Sequence, residues 1–131
     1  MSTEMLSLPD RTFLESKYPL HSVFAEGGHI CVVLEAFALP DGLVPSVSDL
    51  LIRLPSGYPD RRPDMFWFSD AITREDGVKP KAVGSKLTLQ GRVWHRWSRH
   101  MKAEEWAVTS GLRAYVGYVQ MCLRDAAKRA A

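Results

Sequence analysis

The stretch Trp94-His95-Arg96-Trp97-Ser98-Arg99-His100 gathers two tryptophans, two histidines and two arginines around one serine. A serine hydroxyl becomes a nucleophile only when a base removes its proton as it attacks. His100 is the nearest imidazole. In extended backbone residues i and i+2 point to one face, which would bring the ring to the Ser98 hydroxyl, whereas a helix would send the two apart. His95 is the second candidate base. Arg96 or Arg99 could stabilise a developing oxyanion in a partly dry site, and Trp97 would shield that site by packing. The bland readings compete: Ser98 as a turn or cap residue, His100 as a hydrogen-bonded structural histidine, and the arginines as a solvated rim. His95 and His100 do not read as metal ligands, because they are five residues apart with no acidic or thiol partner nearby in the chain. No metal or cofactor is expected.

The bulk properties set limits on the partners. The 131 residues fit one domain, 1–131, and 46% apolar residues suffice for a sizeable core. The net charge of +2 is the difference of 17 basic and 15 acidic residues, so no field strong enough to attract nucleic acid or a membrane surface arises from the chain as a whole. Cys31 and Cys122 lie inside the apolar runs "HICVVLEAF" and "YVGYVQMCLRDAA" and read as small buried hydrophobes. With no disulfide framework and no secretory leader pattern, the expected compartment is the reducing cytoplasm. No apolar run reaches the roughly 20 residues that would span a bilayer.

The elements that must position the site follow in order along the chain. "LPDRTFLESKY" predicts a short helix with Asp10 near its cap. "HSVFAE" and "HICVVLEAFAL", split by Gly27-Gly28, predict a hairpin, and residues 46–54, "SVSDLLIRL", a third strand. "PSGYPDRRPD" cannot belong to a central ladder, since proline lacks the donor N–H, so the aromatic run Met65-Phe66-Trp67-Phe68 is the expected fourth strand. Residues 69–90 give only weak signals and read as a long irregular stretch, which inside a small domain points to function or mobility. From Glu104 onward, Val108, Leu112, Tyr115, Val116, Val119, Cys122, Leu123 and Ala126 recur at three- and four-residue steps, predicting a long amphipathic helix. Its early glutamates and late Arg124, Lys128 and Arg129 suit the helix dipole. The class is α+β.

"LLIRLPSGYPDRRPDMFWF" resembles the Tyr-Pro-x-x-x-Pro loop of the ubiquitin-conjugating-enzyme (UBC) fold, with Tyr58, Pro59, Pro63 and Asp64 at the matching positions. The resemblance implies a short N-terminal helix, a four-stranded antiparallel meander, the proline loop and a long C-terminal helix. Catalytic members of that superfamily carry a cysteine after the fourth strand, preceded by His-Pro-Asn and followed about eight residues later by a tryptophan. Here no cysteine lies between the loop and the C-terminal helix, and no His-Pro-Asn is present. If Trp106 matches that tryptophan, Ser98 occupies the position of the nucleophile. The chain is most similar to the bacterial branch called prokaryotic family E, on the strength of "LLIRLPSGYPDRRPDMFW", "RWSRH" and the terminal helix. That similarity implies a ubiquitin-like protein and an adenylating activating enzyme as partners, a JAB-type metalloprotease in the same pathway, and a bacterial conjugation or antiphage defence setting.

Three functions follow. In the first, Ser98, helped by His100, accepts the ubiquitin-like C-terminus as an oxyester, or stands where a catalytic cysteine was replaced. In the second, the fold has lost its chemistry and only binds a ubiquitin-like protein or the activating enzyme. In the third, "GRVWHRWSRHMK" stacks bases and neutralises phosphates, an option that the charge balance of the remaining chain argues against.

Overall fold

Serine at residue 7 is an N-cap type, and it takes that role: Ser7 Oγ accepts from the Asp10 N–H at 3.4 Å and opens helix α1, Leu8–Lys17. Asp10 lies near this cap as expected, in the first turn, and is almost fully buried. The computed structural model describes residues 5–107 and 111–128. Strands β1, His21–Glu26, and β2, His29–Ala38, form the expected hairpin through Gly27 and Gly28, both at positive φ, where a side chain would be strained. After the two-residue β3, Leu43–Val44, come β4, Val47–Leu54, and β5, Phe66–Phe68. Then follow β6, Thr73–Arg74, β7, Val83–Leu89, and β8, Arg92–Trp97. Helix α2, Gly111–Ala127, closes the fold.

The expected four-stranded meander is β1-β2-β4-β5, and it is part of a larger sheet. The main sheet has six strands in the order β1-β2-β4-β5-β8-β7, each neighbouring pair antiparallel, and β3 pairs with β6 in a separate ribbon. The stretch 69–90 is therefore not irregular throughout. Strand β7 is an edge strand with most of its side chains in solvent, so "VGSKLTL" carries little of the apolar alternation that marks a half-buried strand.

Alternation sorts the other strands. Val32, Leu34, Leu50, Ile52, Phe66, Phe68 and Trp97 face the helices and join Phe13, Leu14, Leu112, Tyr115, Val116 and Val119 in the main core. Cys31, Val33, Leu51, Trp67, Leu89 and Trp94 form a second cluster on the opposite face. There Arg92 lies 4.5 Å over the Trp94 ring and Arg53 5.7 Å over Trp67, covering the indoles with cations whose stems are themselves apolar.

Two polar ties fix the frame. Asp49 on β4 accepts from the Ala36 N–H at 2.8 Å, at the bulge in β2, and from Arg92 at the start of β8 at 2.9 Å. Partial burial raises the Asp49 carboxyl, but these donors outweigh it and hold the group below the usual carboxylate range. Asp10 makes the second tie. Its carboxylate accepts from the Tyr58 hydroxyl at 2.7 Å and from the Leu112 N–H at 2.9 Å, joining α1, the proline loop and the first turn of α2. The same approach explains Gly111, whose φ is +65° and where an added Cβ would stand 2.8 Å from Asp10 Oδ1.

The C-terminal helix starts later than its periodicity suggested. Glu104 and Glu105 belong to a separate 3₁₀ turn, Ala103–Glu105, and Val108 and Arg129 lie outside the described residues. The remaining stripe is as expected, with Leu112, Tyr115, Val116, Val119, Cys122 and Leu123 buried. No helix among the described residues is long and apolar enough to cross a membrane.

Removing the Asp10 carboxylate strands a half-buried phenol and a buried helix-terminal N–H, so Asp10→Ala should cost about 2–4 kcal/mol of unfolding free energy. Denaturant unfolding checks this. A loss below about 0.5 kcal/mol, the range of an ordinary surface change, would show that the tie is incidental.

Candidate active site

Two segments far apart in sequence build the site. The first is the proline loop between β4 and β5. Tyr58 is anchored at Asp10, and burial, then the neighbouring carboxylate, push its hydroxyl well above the ordinary phenol range, so it stays a donor. Trp106 Nε1 donates to the Pro59 carbonyl at 2.8 Å, and the Trp106 ring packs against Tyr58 with centroids 6.2 Å apart. Pro63 is buried while the next residue, Asp64, reaches solvent with 70% of its side chain exposed. The pinned loop thus ends on a solvent-facing carboxylate just before β5.

The second segment follows β8. Strand β8 ends at Trp97, which is fully buried against Phe66, stacked at 5.8 Å, and Phe68, edge-on at 5.9 Å. The Ser98 N–H donates to the Ala82 carbonyl at 3.1 Å, and the Arg99 N–H turns back to Trp97 O at 3.0 Å. This tight bend follows a strand whose last side chain is fully buried, which anchors Ser98 from one side. Ser98 is half-buried and His100 is open to solvent.

The bend brings His100 Nε2 to 3.2 Å from Ser98 Oγ, and His100 Nδ1 to 2.6 Å from Asp64 Oδ1. Asp64 in its ionised form can only accept, so Nδ1 carries the proton of that bond. In the neutral ring Nε2 is then an acceptor, and the Ser98 O–H is the donor to it. Serine, histidine and aspartate stand in the order of a nucleophile, its base and the group that orients the base. Asp64 had been singled out only for its place in the loop. Its partner is 36 residues away in sequence, and no local spacing could have revealed the contact.

The other candidates sit elsewhere. His95 lies within β8, paired with Phe68 and Lys86, and the imidazole beside Ser98 Oγ is that of His100. Arg96 donates to Ser85 Oγ at 3.0 Å, and Arg99 lies 5.1 Å over the Trp97 ring and donates to Lys81 O at 2.8 Å. Arg96 is thus engaged on β7, while Arg99 also donates to the Ser98 carbonyl at 3.4 Å and stays at the bend. A further arginine that local spacing does not mark, Arg62, reaches across from the proline loop: its Nε donates to Met101 O at 2.7 Å and ties the loop to the residue after His100. Trp94 and Trp97 are 1% and 0% exposed, so the indole faces that a base-stacking surface requires are not available.

Cys31 and Cys122 are buried, and burial pushes both thiols up despite the Arg53 contact at Cys31 and the Tyr118 and Arg99 contacts at Cys122. The native chain should therefore leave both thiols almost unlabelled by an aromatic disulfide reagent, and the denatured chain should expose two. Rapid native labelling of Cys122 would move the search for the nucleophile to that residue.

The family model described as prokaryotic E2 family E matches residues 6–126, a span that contains both halves of the site. Comparison with curated proteins returns no match, and neither does comparison with solved structures.

Proposed function

The chain belongs to prokaryotic E2 family E, and from that premise we propose that it is a carrier that takes the C-terminal acyl group of a ubiquitin-like protein onto Ser98. Family membership gives a conjugating-enzyme-like role, with an activating enzyme or a ubiquitin-like protein as the general kind of partner. The observation that carries the finer reading is the 3.2 Å contact between Ser98 Oγ and His100 Nε2, with His100 held from behind by Asp64.

In the transfer, Ser98 Oγ attacks the thioester carbonyl presented by the adenylating activating enzyme. His100 Nε2 takes the hydroxyl proton and returns it to the departing thiolate, so one C–O bond replaces one C–S bond. A hydroxyl needs this base because, unlike a thiol of pKa about 8.5, it has no ionised fraction at neutral pH. The oxyester that results is less reactive toward amines than a thioester. Transfer to a final acceptor then depends on further activation by that acceptor or by a partner. A bacterial cytoplasmic pathway with a JAB-type metalloprotease is the setting this reading takes.

The test is incubation with the cognate activating enzyme, ATP and the ubiquitin-like protein, followed by denaturing electrophoresis. The expected adduct survives thiol reductant, is cleaved by hydroxide and is absent in Ser98→Ala. His100→Ala should slow its formation about 10²- to 10⁴-fold, and Ser98→Cys should yield an adduct that reductant removes. Unchanged adduct formation in Ser98→Ala would sink the assignment. Noncovalent capture of either partner without any adduct would favour the silent binding module.

A further inference from the structure

We propose that this site is also a hydrolase: the ester formed on Ser98 is discharged onto water by the same His100–Asp64 pair, so that the chain turns over activated acyl groups, thioesters and activated esters, without a second protein. The proposal rests on Ser98 being the acylated residue.

Three features carry it. The base is not consumed by the first step. Once the thiolate has left with its proton, His100 Nε2 is again a free acceptor, beside the new ester. The base is also held in one state, because Nδ1 is committed to Asp64 Oδ1 at 2.6 Å, and Asp64 itself is set by the buried Pro63 before it and strand β5 close after it. Finally, the site is wet. The His100 side chain is 56% exposed and that of Asp64 70%, so water reaches the atom that would activate it. An oriented, solvated base within hydrogen-bond reach of the ester oxygen exposes a carried ester to attack by water as well as by an acceptor.

The second half-reaction balances. A water O–H gives its proton to His100 Nε2 while the water oxygen adds to the ester carbonyl. The tetrahedral intermediate then expels Ser98 Oγ, which takes the proton back from Nε2, and the acyl group leaves as a carboxylic acid. Asp64 touches neither the acyl group nor water. It is a positioning residue that fixes the tautomer and stabilises the imidazolium in both halves.

The experiment uses the full chain and p-nitrophenyl acetate, following p-nitrophenolate release and the acyl state of Ser98 by mass spectrometry. The expected result is a burst of one equivalent followed by continuing turnover, both absent in Ser98→Ala. Asp64→Asn should lower kcat by about tenfold or more while KM and the melting temperature stay unchanged, and Asp64→Glu should restore part of the rate. A one-equivalent burst with a stable acetyl-Ser98 and no turnover would overturn the hydrolase and leave the carrier standing. No acylation above the Ser98→Ala background would overturn the hydrolase outright and count against Ser98 as a nucleophile, a point the adduct experiment then decides separately. A kcat unchanged in Asp64→Asn would remove Asp64 from the mechanism.

Discussion

A carboxylate that is 96% out of solvent must find donors inside the protein or it will destabilise whatever buries it. Asp10 finds two, the Tyr58 hydroxyl and the Leu112 N–H, and the rest of the architecture can be traced outward from that choice. The bond to Leu112 sets the start of α2 against α1, with the negative charge at the positive end of the helix dipole. It also leaves no room for a side chain at residue 111. The bond to Tyr58 pins the proline loop. Trp106 then closes on Tyr58 and Pro59, and Arg62 reaches across to Met101. When His100 meets Asp64, both of its supports are already fixed, one through Asp10 and the other through the buried end of β8.

That arrangement explains how a small chain presents a wet, open triad without a deep pocket behind it. The precision comes from what lies beneath. Trp97 is wedged between Phe66 and Phe68, so the bend that carries Ser98 grows from a fully buried part of the sheet. Precise geometry at an exposed site has to come from a rigid underlying layer. The basic residues of the same stretch serve this layer: Arg92 and Arg99 lie over the indoles of Trp94 and Trp97. The crowding of Trp, Arg and His in the sequence is in this sense two superposed patterns. One is a strand that packs tryptophans on both faces, and the other is a Ser-x-His bend at its end.

The parts of the fold with a strong apolar period were legible from residues alone. The stripe from Leu112 to Leu123 reads as a helix because its face is buried, and "HICVVLEAFAL" reads as a strand beside Gly27-Gly28. What the sequence hid has a common physical cause, namely reliance on partners distant in the chain. Strand β7 is exposed on most positions and owes its conformation to pairing with β8, so its composition carries no period. Asp10 reads as lying near the cap of α1, and it does, but that its buried carboxylate is spent on Tyr58 and Leu112, both far along the chain, has no local signal. At the site, Ser98 and His100 are two residues apart and their meeting could be foreseen. Asp64 could be recognised only as part of the loop, and of the two arginines expected at the oxyanion, Arg96 is held by Ser85 on β7 while Arg99 bonds both Lys81 O and Ser98 O.

The central claim is a chain of two hydrogen bonds in which Asp64 fixes the proton of His100 so that Nε2 can accept from Ser98. Long-range ¹H–¹⁵N correlation of the histidine rings measures this directly, with Asp64→Asn assigning the His100 resonances. At a pH where the ring is neutral, the account predicts that His100 carries its proton on Nδ1 and that the Asp64→Asn change perturbs that nitrogen most. A neutral His100 protonated on Nε2, or averaged freely between the two tautomers, would contradict it.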